Sequence, residues 1–165
     1  MNINPATRSL IRRFEGCRLR AYQCSAKVWT IGWGSTFYED GSAVRQGDVI
    51  TQERADRLFV ILLDQFAAQV RPLITARVND NQFGALLSFA YNVGIGSRLP
   101  HLPPGIRRST LLRLVNANPS NAAIRLEFGK WNKANGQVLA GLTRRRTAEA
   151  DLYFTPIIGS NPTNQ

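Results

Sequence analysis

Histidine is almost missing from this sequence, with His101 as its single representative. His101 stands in a Pro-rich stretch, which argues against a histidine-based metal centre and against a Ser-His-Asp triad. Cysteine is scarce as well. Cys17 and Cys24 are too few for a disulfide framework and show no metal-ligand spacing. No metal and no cofactor is therefore expected. Long apolar runs are lacking too: nothing approaches the ~20 residues of a membrane span. The opening stretch MNINPATRSLIRRFEG has neither an apolar core nor a small-residue cleavage pattern, so it does not read as a signal peptide. The expectation is a chain made in the cytoplasm, without stable membrane insertion, whose action elsewhere depends on separate release. Gly32-x-Gly34 has no third glycine at the spacing a dinucleotide site requires. There is no internal repeat and no composition break that would mark a linker.

What is present is arginine. Lys27, Lys130 and Lys133 are the only lysines among 21 basic residues, against 11 acidic ones, and the formal net charge is +10. Such a balance points to a polyanionic partner: nucleic acid, an acidic membrane face or an anionic wall polymer. Nucleic acid fits worst, because the basic residues are scattered and the aromatics fall in core-like positions. With 165 residues, 44% hydrophobic and 19% charged, the chain is long and apolar enough for one globular domain, expected to be a monomer.

The chain reads as α+β. Pro5 and the stripe Leu10, Ile11, Phe14 predict a helix over 5–15, with Gly16 as its left-handed terminator. Over 17–38, Leu19, Ala21, Val28, Trp29, Ile31 and Trp33 are spaced like short strands, with turns at Ser25 and Gly34. A hairpin or three-stranded lobe is expected there. From Thr51, an N-cap by residue type, Ala55, Leu58, Phe59, Leu62, Leu63, Phe66 and Val70 line one helical face until Pro72. The same period returns over 80–92. Gly94–Ser109 reads as loop, and shorter helices fall at 109–117, 119–131 and 141–154. The division is a single domain over 1–165: a β lobe at about 17–40, a helical lobe at about 51–154 and a flexible tail at 155–165.

Chemistry concentrates in FEGCRLRAYQCSAKVWTIGWGST, residues 14–36. Glu15 falls in the last turn of its helix, where free carbonyls concentrate negative partial charge. That field and any burial both oppose ionisation, which suits a general acid. The bland alternative is a surface glutamate at a helix end. The string E-G-x-R-L-x-A-Y, then Cys24 and W-T-I-G-W-G, resembles the start of phage-type lysozymes, the endolysin family. So do ALLSFAYNVGIG (85–96), STLLRLVN (109–116) and FGKWNKANGQVLAGLTRRRTAE (128–149), in the right order.

This resemblance implies a lysozyme-like fold with a small N-terminal β lobe, a larger helical lobe and a cleft between them. It implies hydrolysis of the β-1,4 bond between N-acetylmuramic acid and N-acetylglucosamine in peptidoglycan glycan strands. The catalytic positions it assigns are Glu15, Cys24 and Thr30, in the spacing E-x8-C-x5-T. Tyr22, Ser35, Tyr91 and Asn92 fall where the family contacts substrate. Arg145 or Arg146 falls where it places an arginine able to pair with the catalytic glutamate. Three departures stand out: Cys24 where many members carry Asp, Ser35 where many carry His, and a longer Pro-rich loop around 98–107.

A thiol is mostly neutral at pH 7 unless cations lower its pKa, and Arg18, Arg20 and Lys27 are near in sequence. As a thiolate, Cys24 could activate a water and invert the anomeric centre, or attack C1 and retain it. Its bland reading is a buried thiol. Cys17 reads as core, and a Cys17–Cys24 bridge would disable the second catalytic group. Trp29, Trp33 and Trp131 read as core anchors, and one side chain of the Arg144–Arg146 run should be solvated. Two other functions stay open: a lytic transglycosylase, for which one acid/base glutamate suffices, and a non-enzymatic cationic protein binding wall or membrane.

Overall fold

Pro5 opens α1 (Pro5–Phe14), where its missing N–H removes only a donor that would lack a helical partner. Asn4 caps this start, its Oδ1 accepting from the Thr7 amide at 2.9 Å and the Thr7 hydroxyl at 2.8 Å. Of the predicted stripe, Leu10 and Ile11 are buried and Phe14 is half-buried. Gly16 does not terminate the helix as expected, since its backbone lies outside the left-handed region. Instead the Glu15 amide closes the last turn on the Ile11 carbonyl at 3.0 Å. The chain then enters a strand almost at once.

This computed structural model describes residues 1–24, 27–99 and 101–157. The chain gathers into two units, Ser9–Gln69 and a second formed by Met1–Arg8 with the chain from Val70 onward. In the first, β1 (Arg18–Gln23) and β2 (Trp29–Gly32) pair antiparallel. The hairpin alternative holds among the described residues. Where a third strand was the other option there are only isolated bridges, Arg20–Val49, Ile31–Ser35 and Phe37–Ala43. The turn expected at Ser25 lies outside the described residues.

Ile31, Val44 and Ile50 form the apolar side of this region and pack with Ala55 and Leu58 of α2 (Gln52–Val70). Thr51 caps α2, its hydroxyl accepting from the Arg54 amide at 3.2 Å. The predicted apolar face is buried at Ala55, Leu58, Phe59, Leu63 and Val70, whereas Leu62 and Phe66 are half-exposed. Pro72 sits in a short 3-10 turn, Arg71–Leu73, that follows α2. Asp56 on α2 accepts from Trp33 Nε1 at 2.9 Å and pairs with Arg12 at 3.0 Å. The Arg12 guanidinium also lies over the rings of Trp33 and Phe59. The residue one turn before Glu15 is thereby fixed by charge and stacking together.

Tyr38 gives this unit an alkaline limit. Its hydroxyl donates to Asp48 at 2.8 Å, and burial, reinforced by Asp48, pushes its pKa from about 10 up to about 12. The folded chain keeps that proton after the unfolded chain has lost it, so stability falls as pH climbs from about 10 to about 12. Melting curves across that window should show a steeper decline for the parent than for Tyr38→Phe.

In the second unit, α3 (Asp80–Val93) starts with a reciprocal capping box between Asn79 and Gln82. Its residues from Phe83 to Ala90 are all buried, so α3 is a core helix covered on every side. α4 (Thr110–Ala117) and α5 (Ala123–Gly129) follow the loop. α5 is shorter than the predicted 119–131, because Asn118 and Asn121 bond forward to the amides of Ser120 and Ala123 and hold that stretch in turns. A short hairpin, β3 (Lys133–Ala134) and β4 (Gln137–Val138), turns at Asn135-Gly136, both with positive φ. Asn-Gly is a strong hairpin signal, and it lies between the helices expected at 119–131 and 141–154. α6 (Ala140–Phe154) packs along α3 and α5, and Phe89 meets Phe128 and Trp131 edge-on. Of the predicted flexible tail, residues 158–165 lie outside the described ones. The Thr155 carbonyl accepts from Asn81 Nδ2 at 2.9 Å.

Gly84 marks the tightest packing against the N-terminal residues. A Cβ there would lie 1.9 Å from the Thr7 hydroxyl, and that hydroxyl is already committed to Asn4. Gly84→Ala is expected to cost ~1–3 kcal/mol through overpacking, seen as a lower urea midpoint with an unchanged slope.

Candidate active site

The hairpin builds one cluster. Strand register sets Tyr22 opposite Thr30 and Gln23 opposite Trp29, so Tyr22 and Thr30 present their side chains on one face. Just beyond Gln23, the Cys24 amide donates to the Val28 carbonyl at 3.0 Å, and the Lys27 amide donates to the Cys24 carbonyl at 2.8 Å. Lys27 itself sits at φ 60°, a conformation that non-glycine residues adopt rarely. The Thr30 hydroxyl donates to the same Val28 carbonyl at 3.0 Å. One carbonyl therefore ties the backbone of Cys24 to the side chain of Thr30. Thr30 is 4% exposed and Cys24 half-buried. With its proton committed to Val28, the Thr30 oxygen retains lone pairs that can accept a hydrogen bond.

Glu15 is half-buried at the end of α1, in the same unit. Arg18 lies with its guanidinium 4.5 Å from the centre of the Tyr22 ring, so one of the cations near Cys24 in sequence is stacked along β1. Ser35 is 3% exposed, and its amide and carbonyl pair with Ile31. It borders a small pocket of about 60 Å³ with Phe37, Tyr38 and Leu58. Its burial makes it first of all a piece of the hairpin's return.

Both cysteines are free thiols. They flank β1, and its six residues of strand hold their backbones about 20 Å apart. A disulfide requires Cα atoms within about 7 Å, so the bridge considered from sequence does not form in this fold. Cys17 packs against the apolar cluster, donates to Gln52 at 3.8 Å, and burial pushes its thiol pKa up.

The remaining sequence-predicted residues lie in the other unit, where a second cluster forms. Glu149, fully buried, accepts from Arg145 Nε at 3.1 Å and from Arg146 Nη2 at 3.0 Å on one oxygen, while its other oxygen lies 3.0 Å from Arg146 Nε as an ion pair. The Ser88 hydroxyl donates to it at 2.8 Å. Burial pushes the Glu149 carboxyl up, while the two guanidiniums and Ser88 pull it down. Arg145 also reaches the Ser88 carbonyl at 3.2 Å, and Arg146 Nη2 donates to Asn92 Oδ1 at 3.0 Å. Arg145 and Arg146 are 3% and 1% exposed, while Arg144 faces solvent as expected of one member of that run. Tyr91 is half-buried beside Asn92 in the last turn of α3. The signal for Glu149 was in the sequence: R-R-x-x-E sets both arginines one turn from one carboxylate. The bond through Val28 had no such signal.

Comparison with known proteins decides the family, for the phage lysozyme pattern matches residues 12–149. The chain belongs to the phage lysozyme family. Among its relatives is an endolysin of Bacillus phage B103, 40% identical over 157 residues, which covers 94% of this chain and 55% of that protein. An endolysin of Acyrthosiphon pisum secondary endosymbiont phage 1 is 37% identical over 157 residues, covering 93% of this chain and 98% of the relative. The solved muramidase domain of SpmX from Asticaccaulis excentricus superposes with a TM-score of 0.78 at 35% identity, covering 94% of this chain and 99% of that one. The chain thus spans little more than half of the Bacillus phage relative and nearly the whole of the other two. The family match takes in both the hairpin cluster and the Glu149 cluster, and the lysozyme-like α+β fold expected from sequence is the one observed.

Proposed function

We propose that this phage lysozyme family member is an endolysin muramidase that hydrolyses the β-1,4 bond between N-acetylmuramic acid and N-acetylglucosamine. The observation that carries the reading is the bond pair on Val28, which sets the Cys24 backbone and the Thr30 hydroxyl at one end of the hairpin. Glu15 protonates the glycosidic oxygen as positive charge develops on the sugar ring. A water on the opposite face gives one proton to the Cys24 thiolate while its other hydrogen bonds to Thr30. Water's oxygen then forms the new bond to C1, and the old C1–O bond breaks toward Glu15. The Thr30 oxygen suits this role because its own proton already goes to Val28. That favours water attack, with inversion, over direct attack by sulfur.

Tyr22, Tyr91 and Asn92 are proposed to contact the glycan, with Ser35 contributing only through the small pocket it borders. Arg145 and Arg146 are proposed to support the reaction by holding the Glu149 network and, through Arg146, Asn92. The protein works as a monomer on wall glycan and reaches it through a separate membrane lesion. Among the described residues no helix is long and apolar enough to cross a membrane.

NMR and mass analysis of digested peptidoglycan test this. A free reducing end with inverted configuration is expected. A 1,6-anhydro product would make the protein a lytic transglycosylase, and retained configuration would move Cys24 to the nucleophile's role. Cys24→Asp should stay within about tenfold of the parent rate, whereas Cys24→Ser, which cannot ionise, should lose ~100-fold or more. Full activity in Cys24→Ser would reduce the thiol to packing.

A further inference from the structure

The Pro-rich loop around 98–107 ends in a basic pocket. Ser97 donates its amide to Pro103, Ile106 to Gly94 and Arg107 to Ile95, each at 3.0 Å, so the loop closes on itself. A Cβ at Gly96 would fall 1.8 Å from the Pro104 carbonyl, which shows how closely the two sides meet. Where this loop runs into α4 there is a pocket of about 400 Å³ lined by Arg107, Arg108, Thr110, Arg113 and Asn116 over Leu112. No carboxylate lines it.

The walls are fixed. Arg107 Nε donates to the Gly96 carbonyl at 3.4 Å, and Arg108 reaches the Leu102 carbonyl. Asn116 is spent on Leu73 and Thr75, and Ser109 on capping α4. Among the described residues, the terminal nitrogens of Arg107 and the side chain of Arg113 have no protein acceptor. Guanidiniums gathered without a lining carboxylate repel one another until an anion joins them.

We propose that this pocket binds the phosphodiester groups of an anionic wall polymer with a polyol backbone. Guanidinium forks match phosphate oxygens in pairs. The volume exceeds that of one phosphate, leaving room for the flanking polyol. Successive phosphates of one chain can meet successive arginines. With no aromatic in the lining there is no platform for bases, which disfavours nucleic acid. None of its lining residues is among those assigned to glycan cleavage, and its binding can be read with no bond cleaved.

Calorimetric titration of the full chain with poly(glycerol phosphate) at low salt tests it. R107Q/R108Q/R113Q should weaken binding at least tenfold. R45Q/R57Q/R77Q, which removes equal charge from exposed positions elsewhere, should weaken it less than about threefold. R113Q alone should weaken binding about threefold at an unchanged melting temperature, a readout that survives any misfolding of the triple variant. The assignment is overturned if both triple variants lose affinity equally. It is also overturned if inorganic phosphate binds as tightly as the polymer. Polyglutamate binding equally well would make the site a general anion patch, and tighter binding of single-stranded DNA through the same arginines would make it a nucleic-acid site. Either result overturns the assignment.

Discussion

Glu15→Gln is expected to lower the rate of wall clearance by ~10²–10⁴-fold while leaving the melting temperature within a degree or so of the parent. The amide keeps the size and polarity of the side chain but has no acidic proton to give. The glycosidic oxygen must then depart as an alkoxide, and the barrier rises by the share that proton transfer supplied. Because Glu15 is half-buried at a helix end, with its backbone bond to Ile11 untouched by the change, the loss should be in turnover and not in folding. Turbidity clearing and thermal melts on the same preparations check this. A variant that clears walls at a tenth of the parent rate or better would remove Glu15 from the chemistry. It would also leave the cationic, non-enzymatic reading as the better account of lysis.

Glu149→Ala should have the largest effect on stability. Arg145, Arg146 and Glu149 are 3%, 1% and 0% exposed. Removing the carboxylate leaves two buried guanidiniums facing each other with no anion between them. Loss of one partner from a buried ionic network costs ~3–5 kcal/mol, which for a chain of this size means a melting temperature lower by roughly 10 °C. R145M/R146M/E149M should recover much of that loss, because apolar side chains of similar volume carry no desolvation penalty. That triple variant should nonetheless clear walls more slowly than the parent, since Arg146 would no longer hold Asn92. If Glu149→Ala melts within 2 °C of the parent by the same scale, the network is not what holds α6 to α3.

How much could be read beforehand differs from element to element. α2 and α3 were legible because a 3.6-residue apolar period runs over fourteen residues or more in each, and Thr51 and Asn79 begin them with side-chain caps. β1 and β2 were legible from alternation, although their register was not. Gly16 misled because a glycine after a helix signals a left-handed stop only where the chain must reverse, and here it continues into β1. The region from Asn118 to Asn121 misled because side chains that bond their own backbone compete with helix. Asn135-Gly136 was a local signal, obscured by the helical motifs on either side of it.

Sequence alone determined the family-type motif with its spacing E-x8-C-x5-T, the α+β class, the positions of the long helices and the excess of arginine. These are properties of neighbours along the chain, and local periodicity or residue type suffices to express them. The tertiary structure decided that Val28 joins Cys24 to Thr30 and that Cys17 and Cys24 stand too far apart to bridge. It also decided that Arg145 and Arg146 converge on Glu149, and that three arginines meet in one pocket beside a closed loop. Each of those depends on a hydrogen bond, a strand length or a packed helix pair whose partners the sequence does not name. The same pattern of residues is compatible with many such pairings, and only burial and backbone geometry select among them.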